Sequence, residues 1–481
     1  MRKLLRWIGR VFILAVLIGV LAASMLMWPQ YRTLLMVGSG YLAQTLCTGH
    51  FVSGRTVEAV REDALVAESN PLLRAYRYDV DDAAGTVTVS PLGLPILRRV
   101  SVDRPGLGCV LTREDNFDAL AARSAPLPDP ASAAIWPEGE GADFTPIPAL
   151  EAALDRAFAE PGEEAVRNTR ALVVVRDGRI VGERYAEGIT PATPLIGWSM
   201  SKAATSALVG IAVAEGRITL DQPVLAGVHP AGDPRAGVTM RNLLGMTDGL
   251  TFAEDYGEVT DVSRMLFLED DMGAFVASRP AEYPPGRRFS YSTGALNLAM
   301  AVLRDRFADR DAWLAFPRQA LFDPAGMNSA VFETDAADAF VGGAWLYASA
   351  RDWARFGLLL MNGGVIDGRR VLPEGWTDFM ATPVPGSDGR FGSVLWLDSP
   401  TEGWVSDLPA DMIWLKGHDG QWTAMVPSEG LVIVRLGVTP EETDDIAENV
   451  VADVIAALAD VPRAAEATPD TAPAPVVAPA G

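Results

Sequence analysis

Apolar and polar positions fall into distinct regimes along the chain, and each regime predicts its own kind of element. From Val11 to Trp28 the sequence is apolar and uncharged. Coiled as a helix at about 1.5 Å per residue, that run reaches roughly 27 Å, close to the thickness of a bilayer core. Arg2, Lys3, Arg6 and Arg10 precede it and only Arg32 follows soon after, a bias that keeps the N-terminus in the cytoplasm. Residues 1–30 therefore read as a transmembrane anchor or a signal segment. Val20-Leu21-Ala22 offers a tolerable cleavage pattern, but the apolar run continues past it, which favours an uncleaved anchor. The rest of the chain would then lie outside the cytoplasm, on the periplasmic side of an inner membrane.

Past Tyr31 a short helical pattern gives way to strand alternation. Tyr76–Val80 and Thr86–Val89 flank a turn at Asp81–Gly85 and predict a hairpin, with another alternating run at Arg98–Val102. Residues 31–123 read as a small α/β leading module. Residues 124–145, rich in Pro, Ala and Gly, read as a linker. The main domain, 146–462, opens with a helical period over Ile147–Phe158. A hairpin follows, Ala171–Arg176 turning at Asp177-Gly178 into Arg179–Tyr185. Ser199 to about Leu360 is mainly helical. Strand patterns return at Met412–Trp414, Trp422–Val426 and Leu431–Leu436, before a helix over Glu441–Ala459. Strands at both ends with helices between predict an α+β fold, its antiparallel sheet completed from the two ends of the domain. Residues 463–481, rich in Ala and Pro, read as a disordered tail.

Composition narrows the chemistry. At 49% hydrophobic and 21% charged the chain can bury a large core, which excludes wholesale disorder. Sixty-two acidic against 40 basic residues give a net charge of −22, and that argues against nucleic acid as a partner. Only three His and two Cys are present, with no H-E-x-x-H and no C-x-x-C, so the residues call for no metal and no cofactor. The two cysteines, Cys47 and Cys109, would lie in an oxidising compartment and can pair.

Of the 40 basic residues only Lys3, Lys202 and Lys416 are lysines. That scarcity gives weight to Ser199-Met200-Ser201-Lys202, which opens a helical run. Positions i and i+3 share a helix face, so the Ser199 hydroxyl and the Lys202 amine are neighbours. A lysine whose pKa is lowered can take a serine's proton; an arginine cannot. Two further clusters follow: Tyr291-Ser292-Thr293 in a turn before a helix, and Lys416-Gly417-His418-Asp419-Gly420-Gln421 before a strand. No G-x-S-x-G elbow, Walker loop or G-x-G-x-x-G accompanies them.

S-x-x-K, then Y-S-x, then H-x-G in this order resembles the penicillin-recognising serine hydrolases of the class C β-lactamase-like branch. Gly210–Arg217, Leu243–Gly249, Glu254-Asp255-Tyr256, Ala350–Gly357 and Gly417–Gln421 look like 6-aminohexanoate-dimer hydrolase relatives, and so does Cys47–Arg55 in the leading module. The resemblance covers roughly residues 40–460 and implies a β-lactamase/transpeptidase-like fold. It implies that Ser199 is acylated, that Lys202 and Tyr291 share the proton work, and that the Lys202 charge lowers the Tyr291 pKa. The backbone N–H groups of Ser199 and Gln421 would form the oxyanion hole, with His418, Gly420, Tyr256 and Thr293 lining the substrate cleft.

Two positions depart from the family pattern. Thr293 stands where many β-lactamases carry an Asn whose amide binds the substrate. His418-Asp419-Gly420 replaces Lys-Thr-Gly, which weakens the positive anchor for a β-lactam carboxylate. The expectation is hydrolysis of a small amide or ester with weak or no β-lactamase activity. A D-amino-acid peptidase or carboxypeptidase, or a β-lactamase, of the cell envelope is the alternative; a non-catalytic binding protein on the same fold is the third reading.

Overall fold

The computed structural model describes residues 28–112, 117–128, 132–162, 166–256, 259–397, 408–440 and 446–463, with isolated positions 7, 10, 13 and 19. The run Val11–Trp28 lies almost wholly outside the described residues, as do 441–445 and the tail from 464 onward. Among the described residues no helix is long and apolar enough to cross a membrane.

The main domain is organised by one antiparallel sheet. Its strands run in the order Ile413–Gly417, Gln421–Val426, Leu431–Gly437, Thr169–Arg176, Arg179–Tyr185. The first hairpin turns at Asp177 and Gly178, both with positive φ (47° and 78°), a backbone twist that matches the flanking strands. Leu431–Gly437 then pairs with Thr169–Arg176, Val434 opposite Val173, so the two ends of the domain close the sheet as the strand pattern predicts. Both faces are covered, which is why these strands read as nearly continuous apolar runs. Leu172, Val174, Trp422, Ala424 and Ile433 pack with helices Pro148–Phe158 and Ile446–Leu458. Val173, Val175, Met425, Val432 and Val434 point the other way, into the core shared by helices Ser201–Ala214 and Ala350–Met361.

The leading module is built from helices Pro29–Cys47 and Val57–Ala67 and a four-stranded sheet, Tyr76–Asp81, Thr86–Pro91, Arg99–Arg104 and Gly108–Thr112. The hairpin falls where alternation places it, with Asp81 opposite Thr86. Cys47 and Cys109 are disulfide-bonded. The module is not a free-standing bead. Its Tyr41, Leu42 and Leu46 belong to the same buried cluster as Phe267 and Leu346 of the main domain. Glu333 of the main domain stitches it further, accepting hydrogen bonds from Gln44 Nε2, Thr48 Oγ1 and Cys109 N, all at 2.7 Å. Burial outweighs those bonds and raises its carboxyl to about 8.

The Pro/Ala/Gly-rich stretch is also held, where it is described. Trp136 is buried, Arg355 donates to the carbonyls of Pro137 and Gly139, and Arg351 donates to that of Glu140. Composition hides this because the arginines grip backbone carbonyls, which any residue can offer. The arginines of Ala350–Gly357 thus have a structural task.

Candidate active site

The chain reaches the candidate nucleophile through a tight local geometry. A single 3-10 turn, Trp198–Met200, precedes helix Ser201–Ala214, so Ser199 stands just ahead of the helix and Lys202 on its first turn. Trp198 carries a φ of 46°, a strained conformation for a bulky residue that costs of order 1 kcal/mol and persists only when its surroundings hold it. Here its indole Nε1 donates to Asp419 Oδ2 at 3.1 Å.

Lys202 is 1% exposed and sits at the centre. Its ammonium donates to Ser199 Oγ at 2.7 Å, Thr293 Oγ1 at 2.9 Å and the Gly343 carbonyl at 3.0 Å, so three donors meet three acceptors. Burial pulls its pKa down to about 8, and the nearby Glu254 carboxylate opposes that shift. The amine therefore comes within range of losing a proton near neutral pH.

Tyr291 is brought to the same place. Ser292 caps helix Thr293–Arg304 and places Tyr291 beside the lysine, whose Nζ lies 4.7 Å from the ring centroid. The ring stacks on Trp396 at 5.7 Å and meets the edge of Phe391 at 5.9 Å. The expectation that Lys202 lowers the Tyr291 pKa is overturned. Burial and the charge of Glu254 push the phenol well above its usual value of 10, although a hydrogen bond with the Ser199 side chain opposes them. Desolvation penalises the phenolate more than that bond repays, so Tyr291 is a neutral hydroxyl.

The structure sorts the remaining expected residues. His418 stacks on Tyr256 at 4.6 Å and packs against Trp198 at 5.4 Å, so these two expected residues do come together beside the nucleophile turn. Asp419 turns inward and is buried, bound by the Trp198 indole and 3.3 Å from His418 Nε2. Gly420 packs over Arg435, which donates to its carbonyl at 2.6 Å; a Cβ there would meet Arg435 Nη1 at 2.6 Å. Gln421 uses its side-chain amide to clasp Gly437, donating at 2.7 Å and accepting at 2.9 Å. Its backbone begins the strand opposite Gly417, which abuts the nucleophile turn: a side chain at 417 would sit 2.3 Å from the Gly197 carbonyl oxygen. Lys416 pairs with Glu448 of the C-terminal helix at 3.6 Å.

Thr293 departs from its expected role. It is fully buried and its hydroxyl lies between Lys202 and Glu254, so it belongs to the lysine's network and not to the substrate's cleft. Glu254 joins the site although residue-type reasoning passed it over and only the Glu254-Asp255-Tyr256 motif contained it. One carboxylate oxygen accepts the Thr293 N–H at 2.8 Å and the other accepts the Thr293 hydroxyl in a short hydrogen bond. Glu68, just past helix Val57–Ala67, brings a leading-module carboxyl into the electrostatic field of Asp419 and His418. Burial and Asp419 raise it to about 7. Among the described residues no group of three or more His, Cys, Asp or Glu is placed to hold a metal ion.

A serine beside a buried, depressed lysine and a neutral tyrosine, on this sheet-and-helix frame, defines a serine hydrolase acting on amide or ester bonds. A profile of the family described as beta-lactamase matches residues 154–457, and the chain belongs to that family. A 6-aminohexanoate-dimer hydrolase from Paenarthrobacter ureafaciens is 26% identical over 296 residues, covering 57% of this chain and 73% of the relative. In three dimensions the chain is similar to a candidate 6-aminohexanoate-dimer hydrolase from Bacillus anthracis. The TM-score is 0.54 at 21% identity, with 70% of this chain and 91% of that one covered, a likeness of fold.

Proposed function

We propose that this protein cleaves a small amide or ester through an acyl-enzyme on Ser199, in the manner of a 6-aminohexanoate-dimer hydrolase or esterase, with weak or no β-lactamase activity. The observation that carries the reading is the 2.7 Å contact between Lys202 Nζ and Ser199 Oγ, made by a lysine whose burial lowers its pKa to about 8. Lys202 draws the proton from Ser199 as the hydroxyl attacks the carbonyl. Tyr291, neutral and hydrogen-bonded to Ser199, supplies a proton to the departing group. The backbone N–H groups of Ser199 and Gln421 receive the oxyanion, a contribution worth about 10²–10³ in turnover per donor. Weak β-lactam turnover rests on two features: Thr293 is buried in the lysine network, and the 418–420 segment offers no lysine to a substrate carboxylate.

The cell-envelope location is part of the same proposal. The apolar run Val11–Trp28 leads directly into helix Pro29–Cys47, and the leading module exposes Leu72, Leu92 and Ile96. A panel of p-nitrophenyl esters, linear ω-amino amides, D-Ala peptides and nitrocefin tests the function. Turnover of esters or linear amides, lost in Ser199→Ala, is expected together with a mass adduct on Ser199. Rapid nitrocefin hydrolysis, or a preference for D-Ala peptides, would replace this reading with a β-lactamase or a peptidase.

A further inference from the structure

Lys202 presents a difficulty for its own task. Its amine is already within hydrogen-bond distance of Ser199 Oγ, Thr293 Oγ1 and the Gly343 carbonyl, so as an ammonium it donates to the serine oxygen. An ammonium cannot take a further proton. It must pass one on as it receives one, and of its three contacts only one leads to a proton acceptor. The Gly343 carbonyl has no proton to hand on. The Thr293 hydroxyl can accept from Lys202 while donating onward, and its donation goes to a Glu254 carboxylate oxygen. The second Glu254 oxygen is held by the Thr293 backbone N–H at 2.8 Å, which fixes the carboxylate in line with the hydroxyl.

We propose that Lys202, Thr293 and Glu254 form a proton relay in which Glu254 is the terminal acceptor of the Ser199 proton during acylation. The Ser199 O–H bond breaks as an N–H bond forms on Lys202. A different N–H of Lys202 breaks as an O–H forms on Thr293, and the original Thr293 proton passes to Glu254. The electron pair freed at Ser199 forms the bond to the acyl carbon, and the carbonyl π pair moves onto its oxygen. Lys202 begins and ends as an ammonium; Glu254 begins as a carboxylate and ends neutral. When the leaving group takes the Tyr291 proton, the path runs backwards and the proton held on Glu254 returns through Thr293 and Lys202 towards the tyrosine oxygen. Threonine suits the central position because one hydroxyl both accepts and donates, whereas an asparagine amide would have to change tautomer to move a proton. Glu254 and Thr293 are positioning residues on this account, acting through Lys202.

The groups around the Glu254 carboxyl determine the sign of the test. Lys202, the two Thr293 hydrogen bonds and His418 favour its charged form, burial disfavours it, and the phenols of Tyr256 and Tyr291 lie within its field. The proposal rests on acylation at Ser199, so the experiment follows that step directly. The dependence of kcat/KM on pH is measured with a p-nitrophenyl ester for the wild type, Glu254→Gln, Thr293→Val and Thr293→Ser, with intact mass for the acyl adduct and thermal unfolding for the fold.

On the relay the acid limb of the wild type belongs to Glu254, which burial raises above its usual range, and not to Lys202. Glu254→Gln removes the terminal acceptor, leaving a lysine that must first lose its proton to solvent. The expected result is a loss of about tenfold or more at neutral pH and an acid limb displaced upward, towards the lysine's own titration. Thr293→Val should do the same with the carboxylate still present, and Thr293→Ser should keep the wild-type limb. If Glu254→Gln unfolds, the Thr293 pair carries the test. A carboxylate that merely holds Lys202 protonated gives the opposite sign. Its removal would move the limb downward, and that outcome, or an unmoved limb with a reduced rate, overturns the relay. An adduct on Ser199 with either outcome leaves the acyl-enzyme standing; no adduct on wild-type Ser199 removes both.

Discussion

Lys202 and Tyr291 share a site but not a charge state, and the proposed mechanism divides the proton work between them accordingly. Burial acts in opposite directions on the two, lowering the cationic amine to about 8 and raising the phenol, since in each case the charged form is the one penalised. The proposed mechanism therefore makes the tyrosine the donor. Tyr291→Phe keeps the stack on Trp396 and removes only the hydroxyl. Its cost should depend on the leaving group: about 10²-fold or more in kcat for an amide, whose amine must be protonated, and much less for a p-nitrophenyl ester, whose phenolate departs unaided. Equal losses on both substrates would make Tyr291 the base for attack instead. At this scale the sequence was most legible. Three lysines in a chain of arginines single out the position where an arginine could not do the proposed chemistry. Glu254 was legible only as part of the Glu254-Asp255-Tyr256 motif, because nothing in a linear pattern gives it a role among 62 acidic residues.

The elements place these residues through close backbone approach. Strand Ile413–Gly417 lies against the nucleophile turn, and it can do so because residue 417 lacks a side chain. At φ −131° the backbone there suits any residue, so the requirement is space alone. Gly417→Ala should push the strand away from Gly197 at a stability cost of about 1–3 kcal/mol, and should lower acylation more than it lowers the unfolding midpoint. Unchanged acylation of Ser199 would show that this edge does not help shape the site. Hairpins and sheet strands were readable from alternation and turn residues, as Asp177-Gly178 and the strands that follow illustrate. The turn Trp198–Met200 was not. Helical spacing puts Ser199 inside the helix, whereas a positive φ at a tryptophan, held by a distant aspartate, leaves it just outside.

Across the whole molecule the leading module and the hydrolase domain fold on a common core. Tyr41 packs edge-on against Phe267 at 5.6 Å, and Glu333 binds both the helix and the strand that the Cys47–Cys109 bond joins. A bridge across 62 residues contributes about 4 kcal/mol in the chain-entropy model. Cys47→Ala/Cys109→Ala should therefore lower the denaturation midpoint of the entire protein in one transition. Two separated transitions, with the hydrolase domain unaffected, would show the module to be independent.

The sequence by itself made the family and the sheet closed from both ends legible, and it put forward the serine, lysine and tyrosine as candidates, because periodicity and residue type are local properties that survive without coordinates. Only the tertiary structure decided how those groups are charged and wired. Thr293 became a bridge between Lys202 and Glu254, Tyr291 a phenol whose pKa burial raises, Asp419 a buried brace for Trp198, and Glu254 a member of the site. Burial and hydrogen bonding set each of those outcomes, and both depend on which distant segments fold against one another.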